Sequence, residues 1–142
     1  MGKRVIVVGG GIAGMQTALK LSAGGVSALL LERDADLGGK LTGWHKLFPS
    51  FTPAHEVLDE LRRRLAASDV EVRTRCEVAE VARDGVMLST GERLEADAVV
   101  VATGFTLFDA RIKEEYGYGI YDNVYTTVDI ERMLNEGRVA LK

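Results

Sequence analysis

Four apolar residues in a row, Val5 to Val8, run straight into Gly9-Gly10-Gly11-Ile12-Ala13-Gly14. A short apolar run ending in glycines predicts a buried strand that enters a tight turn. Beyond the turn, Ile12, Met15, Leu19 and Ala23 recur at helical spacing, which predicts a helix over 11–23 stopped by Gly24-Gly25. Ala28 to Leu31 predicts a second strand, and strand, helix and strand make one right-handed parallel unit. Residues 33–51, with Asp34, Asp36, Gly38-Gly39, Gly43 and Pro49, show no period and predict a long loop. A loop of that length in a compact domain is usually functional. Thr52 as N-cap and Pro53 at the first helical position predict a second helix, with Ala54, Val57, Leu58, Leu61 and Leu65 on its apolar face and its end near Ser68-Asp69.

Val70-Glu71-Val72 predicts a third parallel strand. The alternating pieces Glu77 to Ala82 and Val86 to Leu88, punctuated by Asp84-Gly85 and Gly91, predict a small antiparallel meander. Ala98 to Ala102 is continuously apolar, as for a parallel strand covered on both faces, and ends in Thr103-Gly104. If it returns beside the first strand, the strand order reverses there and opens a ligand crevice. The last 38 residues are less regular, apart from a helix from about Val128 to Asn135, capped by Thr127 and stopped by Gly137. The expected fold is α/β: a doubly wound, Rossmann-like parallel sheet with a small antiparallel meander. One domain spans 1–142, with a core over 1–104 and a tail over 105–142.

The glycines carry the first chemistry. In G-x-G-x-x-G after a strand, Gly9 permits the turn, Gly11 removes the Cβ that would hold a pyrophosphate off the backbone, and Gly14 lets the helix pack closely. The helix N-terminus favours an anion, and Glu32, closing the second strand, can accept hydrogen bonds from ribose hydroxyls. Strand, glycines, helix and distant acid in this order predict a dinucleotide site.

Composition narrows the alternatives. A domain of about 150 residues buries roughly 68–70% of its unfolded surface, enough for a real core. The chain is 46% hydrophobic and 27% charged, with net charge −3, which speaks against nucleic acid. Arg62-Arg63-Arg64 reads as the solvated face of the second helix. No apolar run reaches the ~18 residues of a membrane span. Lys3-Arg4 before Val5 is ordinary domain structure rather than a leader, and Met1-Gly2 lacks the later Ser or Thr of an acylation motif, so a cytoplasmic protein is expected. The single Cys76 excludes an internal disulfide or a multi-cysteine cluster within the chain, and no metal site is expected. His45 and His55 have no acid–base partner fixed by sequence, so no catalytic residue is assigned.

Gly9 to Gly14, Glu32-Arg33, Gly38-Gly39 before Lys40, and Ala102-Thr103-Gly104 resemble a two-dinucleotide-binding flavoprotein of the glutathione-reductase type. Gly39-Lys40-Leu41 through Phe48-Pro49, with Ala102 to Phe105 and Glu114 to Gly119, is more closely similar to the FAD-binding subunit of heterodisulfide reductases and its relatives; the likeness read this way covers nearly the whole chain. FAD is the cofactor this resemblance implies. Gly11, Ala13 and Gly14 would then face the pyrophosphate, with Gly9 and Ile12 in the same cofactor site, Glu32 would face the adenosine ribose, and Arg33 the adenine. Gly39, Lys40 and Leu41 would face the phosphates or the flavin, Val78 would offer backbone bonds to adenine, and Ala102, Thr103 and Gly104 would line the pyrophosphate. Loop and surface charges remain the alternative for Lys40 and Arg33.

The same resemblance implies an electron-transfer oxidoreductase component in sulfur or thiol/disulfide redox metabolism, with iron–sulfur proteins or other subunits, or a second copy, as partners. Cysteine ligands for iron–sulfur clusters, a second nucleotide domain and a late strand closing the flavin pocket are not visible. The chain is therefore expected to be either a fragment or a short form that borrows the rest of its site. The alternatives are a self-contained NAD(P)H-linked flavin oxidoreductase, for which a second glycine motif is missing, and a non-catalytic nucleotide-binding fragment. Tyr116, Tyr118, Tyr121 and Tyr125 pack over a flavin or partner, or anchor the sheet edge; the sequence leaves that open.

Overall fold

The structure is a computed structural model and describes residues 2–139. Met1 and residues 140–142, and with them the first position of the acylation motif and the end of the tail, lie outside the described residues. In chain order the elements are β1 (Arg4–Val8), α1 (Ile12–Ala23), β2 (Ser27–Leu31), a 3₁₀ turn (Gly39–Gly43), β3 (Lys46–Leu47), β4 (Thr52–Pro53), α2 (Ala54–Ala66), β5 (Glu71–Arg73), β6 (Val78–Ala82), β7 (Gly85–Leu88), β8 (Arg93–Glu95), β9 (Ala98–Val101), two short 3₁₀ turns and α3 (Thr127–Asn135).

β5, β2, β1 and β9 form a parallel sheet in that order. Successive side chains on a strand point to opposite faces, and the apolar runs divide accordingly. Val7, Ala28 and Leu30 face a helix layer in which Met15, Ala18 and Leu19 of α1 meet Leu58, Leu61 and Leu65 of α2. Ile6, Val8, Leu29 and Leu31 face the other way, onto Val86, Leu88 and Leu94 of the antiparallel meander β6-β7-β8. An uninterrupted apolar strand is the signature of a sheet covered on both sides. The Rossmann-like parallel sheet and the meander are as expected, with the meander rather than a helix supplying the second layer.

Several boundaries differ from the sequence expectation. Pro53, not Thr52, is the N-cap of α2. Thr52 pairs with Leu47 and Lys46 with Pro53, and the Ala54 N–H donates to the His45 carbonyl at 3.0 Å. The stretch 33–51 is therefore not one loop; it carries a 3₁₀ turn and half of a tiny hairpin. β9 is not covered on both faces. It ends the sheet, pairing only with β1 among the described residues, and Val101 is 60% exposed. The helix and meander layers centre on β1 and β2, so only Val99 and Val100 of β9 reach them.

In the tail, α3 starts one residue earlier than expected. Thr126 is its cap, and its hydroxyl accepts from the Asp129 N–H while the Asp129 carboxylate accepts from the Thr126 N–H at 2.9 Å. This reciprocal pairing satisfies two backbone donors at the helix start. The Thr126 hydroxyl, donating to the carboxylate at 2.7 Å, holds the Asp129 carboxyl below its ordinary value. A carboxyl with a lowered folded-state pKa adds stability that is complete above its unfolded value and lost as pH falls through the folded one. Thr126→Ala is expected to cost about 1 kcal/mol, and acidification below the usual aspartate range should raise amide exchange in α3 before the parallel sheet responds. Hydrogen exchange across a pH series checks both.

α3 docks on the 3₁₀ turn and its C-terminal flank. The Glu131 carboxylate accepts from the His45 N–H at 2.6 Å, and the Asn135 amide donates to the Gly43 carbonyl at 3.0 Å. The His45 Nδ1 lies 3.1 Å from the Asn135 Oδ1.

Candidate functional site

Where β1 ends, the chain turns through Gly9 at φ +110°, and its N–H donates to the Leu31 carbonyl at 2.8 Å. Each glycine of the motif meets a different constraint. A Cβ on Gly9 would overlap the Ala102 carbonyl, and one on Gly14 would overlap the Gly9 carbonyl. Those two glycines are required by packing within the protein. Gly11 is not: its φ of −74° suits any residue, and a Cβ there would meet nothing within 4 Å. The fold supplies no reason for glycine at this position, and a phosphate laid against the backbone would. α1 begins here with no side-chain cap and no acid in its first turn, leaving the positive end of its dipole and its free N–H groups for an anion.

Glu32 is 7% exposed, the one buried charged residue among those described. Its Oε2 accepts from the Gly10 N–H at 2.6 Å and its Oε1 from the Asp34 N–H at 2.9 Å. Its own N–H donates to the Arg73 carbonyl at 2.9 Å, and its carbonyl accepts from the Cys76 N–H at 2.8 Å. The side chain thus ties the glycine loop to the end of β2. A carboxylate oxygen accepts more than one hydrogen bond, so each retains capacity for a ribose hydroxyl.

The loop after β2 closes against the same turn. The Gly38 N–H donates to the Gly10 carbonyl at 2.9 Å, and the Cβ position of Gly39, at φ +52°, is 3.4 Å from the Gly11 Cα. From the other side, the Ala102 N–H donates to the Val8 carbonyl at 2.8 Å. β1 lies between β2 and β9, so the strand order switches direction here, the place where open α/β sheets bind ligands.

The expected residues are distributed as follows. Gly9, Gly11, Ile12, Ala13 and Gly14 lie at the turn from β1 into α1, Glu32 follows β2, Gly39 and Lys40 lie in the 3₁₀ turn, and Ala102, Thr103 and Gly104 follow β9. Leu41 is 4% exposed, its side chain packed in the helix-side core. Arg33 extends into solvent, its guanidinium 3.9 Å from the Asp34 carboxylate. Val78 opens β6, half-buried against the meander-side core.

Two contributors escape a motif reading. Gly10 occupies an x position, yet a Cβ there would press on Leu37 and on the Glu32 carboxylate. Arg62 belongs to the stretch that reads as a solvated face, yet its Nη2 donates to the Leu37 carbonyl at 2.5 Å. It lines a cleft of about 510 Å³ with Asp34, Ala35, Asp36, Gly39 and Thr42. Its spacing was the available signal: Arg62 follows Leu58 by four positions and so flanks the apolar face of α2. Of the histidines, His45 is held by α3 and His55 is exposed. Tyr116 and Tyr121 are exposed, and Tyr121 lies over Gly117, where a Cβ would overlap its ring. Tyr118 and Tyr125 line a tail cleft with Arg111, Arg132 and Met133. Among the described residues no helix is long and apolar enough to cross a membrane.

Fold and glycine turn together define a dinucleotide-binding Rossmann-type domain, and residues 7–60 match the NAD(P)-binding Rossmann-like domain family. Residues 45–131, more than half of the chain, match the pyridine nucleotide-disulphide oxidoreductase family, and the chain belongs to that family. Its N-terminal part is 54% identical over 43 residues to a CoB–CoM heterodisulfide reductase iron-sulfur subunit of Methanocaldococcus jannaschii, and 58% identical over 43 residues to a subunit of the same name in Methanopyrus kandleri. Each match covers 30% of this chain and 6% of the relative. A carotenoid phi-ring synthase of Chlorobaculum tepidum is 48% identical over 42 residues, again 30% of this chain and 6% of that protein. The resemblance to the heterodisulfide reductase subunit thus has its sequence support in the glycine loop, Glu32 and the turn after it, and these matches do not extend to the tail.

Among solved structures, 2-methyl-3-hydroxypyridine-5-carboxylic acid oxygenase superposes with a TM-score of 0.61 at 22% identity, over 73% of this chain and 40% of the oxygenase. A ferredoxin reductase from Rhodopseudomonas palustris gives 0.52 at 22% identity, over 81% and 27%. At that identity the likeness is one of fold.

Proposed function

We propose that this chain is the FAD-binding part of an electron-transfer oxidoreductase related to the iron-sulfur subunit of heterodisulfide reductase, acting in sulfur or thiol/disulfide redox metabolism. The observation that carries the reading is Gly11, a glycine the fold does not need, set between an uncapped helix and the buried Glu32 carboxylate. The identity of 54–58% over that region supports the particular relationship. When bound, FAD supplies the redox chemistry. The chain's own residues bind and orient it. Gly11, Ile12, Ala13 and Gly14 present the helix N-terminus to the pyrophosphate, Ala102, Thr103 and Gly104 flank it, and Glu32 accepts the ribose hydroxyls. Val78 lies in the meander that covers the adenine side. The chain works in the cytoplasm, with its electron donors and acceptors on other subunits or a second copy.

The acid at Glu32 also discriminates between dinucleotides. It places a carboxylate where NADP would carry a 2′-phosphate, and like charges held close together repel. The purified protein is expected to show a flavin absorbance spectrum, release FAD on denaturation as identified by chromatography, and bind FAD more than about tenfold tighter than NADP in equilibrium dialysis. Tighter binding of NADP would sink the reading.

A further inference from the structure

We propose that Phe105 is a positioning residue for Lys40, and that this pair holds the Lys40 ammonium across the crevice, ready oriented for the dinucleotide pyrophosphate. The inference rests on the FAD reading above and adds to it how the Lys40 side chain is set. Lys40 Nζ lies 4.7 Å from the centroid of the Phe105 ring, inside the ~6 Å reach of a cation–π contact. The two residues come from opposite sides of the switch point. Lys40 belongs to the 3₁₀ turn after β2, and Phe105 follows β9 by four positions.

The backbone on each side is already fixed. Gly38 is bonded to Gly10, Gly39 rests on Gly11 and Leu41 is buried in the core, so the turn carrying Lys40 is pinned before and after it. Ala102 is bonded to Val8, and Gly104 turns at φ +74° to direct the chain outward at Phe105. What remains to be ordered is the long lysine side chain, which has among the largest rotamer entropies to lose.

The choice of partner matters. Among the described residues Lys40 forms no ion pair. A carboxylate in place of the ring would orient the ammonium and cancel its charge as well. An aromatic face orients it and leaves the positive charge undiminished for an anion. The ammonium has three N–H donors, so one side can rest on the ring while others reach phosphate oxygens. Phe105 itself is 57% exposed, an apolar ring that core packing does not explain.

The test titrates FAD into flavin-stripped protein by fluorescence quenching, using wild type, Phe105→Leu, Phe105→Trp, Lys40→Gln and the Lys40→Gln/Phe105→Leu double variant. Phe105→Leu is expected to raise Kd about two- to fivefold, the factor that an exposed cation–π contact converts to. Phe105→Trp should restore wild-type affinity, and Phe105→Leu should have no effect once Lys40 is Gln. Circular dichroism melts confirm that these surface variants fold. Additive losses in the double variant, tighter binding by Phe105→Leu, or a Trp variant as weak as the Leu variant each overturn the inference and leave the FAD reading standing. Wild-type protein that takes up no FAD overturns both.

Discussion

Gly11→Val is expected to yield a folded protein whose affinity for FAD has fallen by about 100-fold or more, the factor that a steric penalty of about 3 kcal/mol converts to. The backbone at Gly11 is in ordinary φ territory, and a side chain there points into open space. The backbone therefore bears no strain and the added Cβ meets no neighbour, so the penalty is expected to fall on the ligand. Gly14→Val makes the informative contrast. Its Cβ would overlap the Gly9 carbonyl, a backbone atom that cannot rotate away, so this variant is expected to fail to fold. Far-UV circular dichroism with flavin absorbance of the purified proteins separates the two outcomes. A folded Gly11→Val protein that still copurifies with stoichiometric flavin is incompatible with the site described.

Glu32→Ala is expected to act on stability as much as on binding. Both carboxylate oxygens serve buried or half-buried backbone donors, Gly10 and Asp34. Removing the side chain strands two N–H groups, each at a cost of about 1–3 kcal/mol. A net loss of about 2–4 kcal/mol is expected, corresponding to a Tm lower by roughly 10 °C in a domain of this size. Glu32→Gln keeps one acceptor oxygen and turns an amide N–H₂ toward the other donor, so it should fall between wild type and Ala. FAD affinity should drop in both variants, less than in Gly11→Val, because the pyrophosphate contacts remain. A Glu32→Ala protein as stable as wild type would mean that the carboxylate does not brace the glycine loop.

The bracing role shows how a single residue can be half legible. That an acid after the second strand belongs to a dinucleotide site follows from its position in the chain. That the same acid closes the turn by accepting from Gly10, 22 positions away, has no signature in spacing. Arg62 is a similar case: a charge run reads as one solvated face, yet the first of its three arginines is drawn inward to the Leu37 carbonyl by the rotation of α2.

The sequence alone determined β1, the glycine turn, α1 and β2, the apolar face of α2 and the existence of the meander. These depend on local quantities: side-chain alternation along a strand, the 3.6-residue helical period, and the backbone conformations open to glycine. It also determined the glycine pattern that leaves Gly11 without a side chain beside the helix start, since that spacing is contiguous in the chain. Only the tertiary structure decided that β9 is an exposed edge, that Thr52 extends a hairpin instead of capping a helix, and that α3 reaches back to His45 and Gly43. It alone set Phe105 beside Lys40. Those outcomes join residues far apart in sequence, where the energy lies in which surfaces meet, and neither composition nor periodicity records a meeting between two separately formed elements.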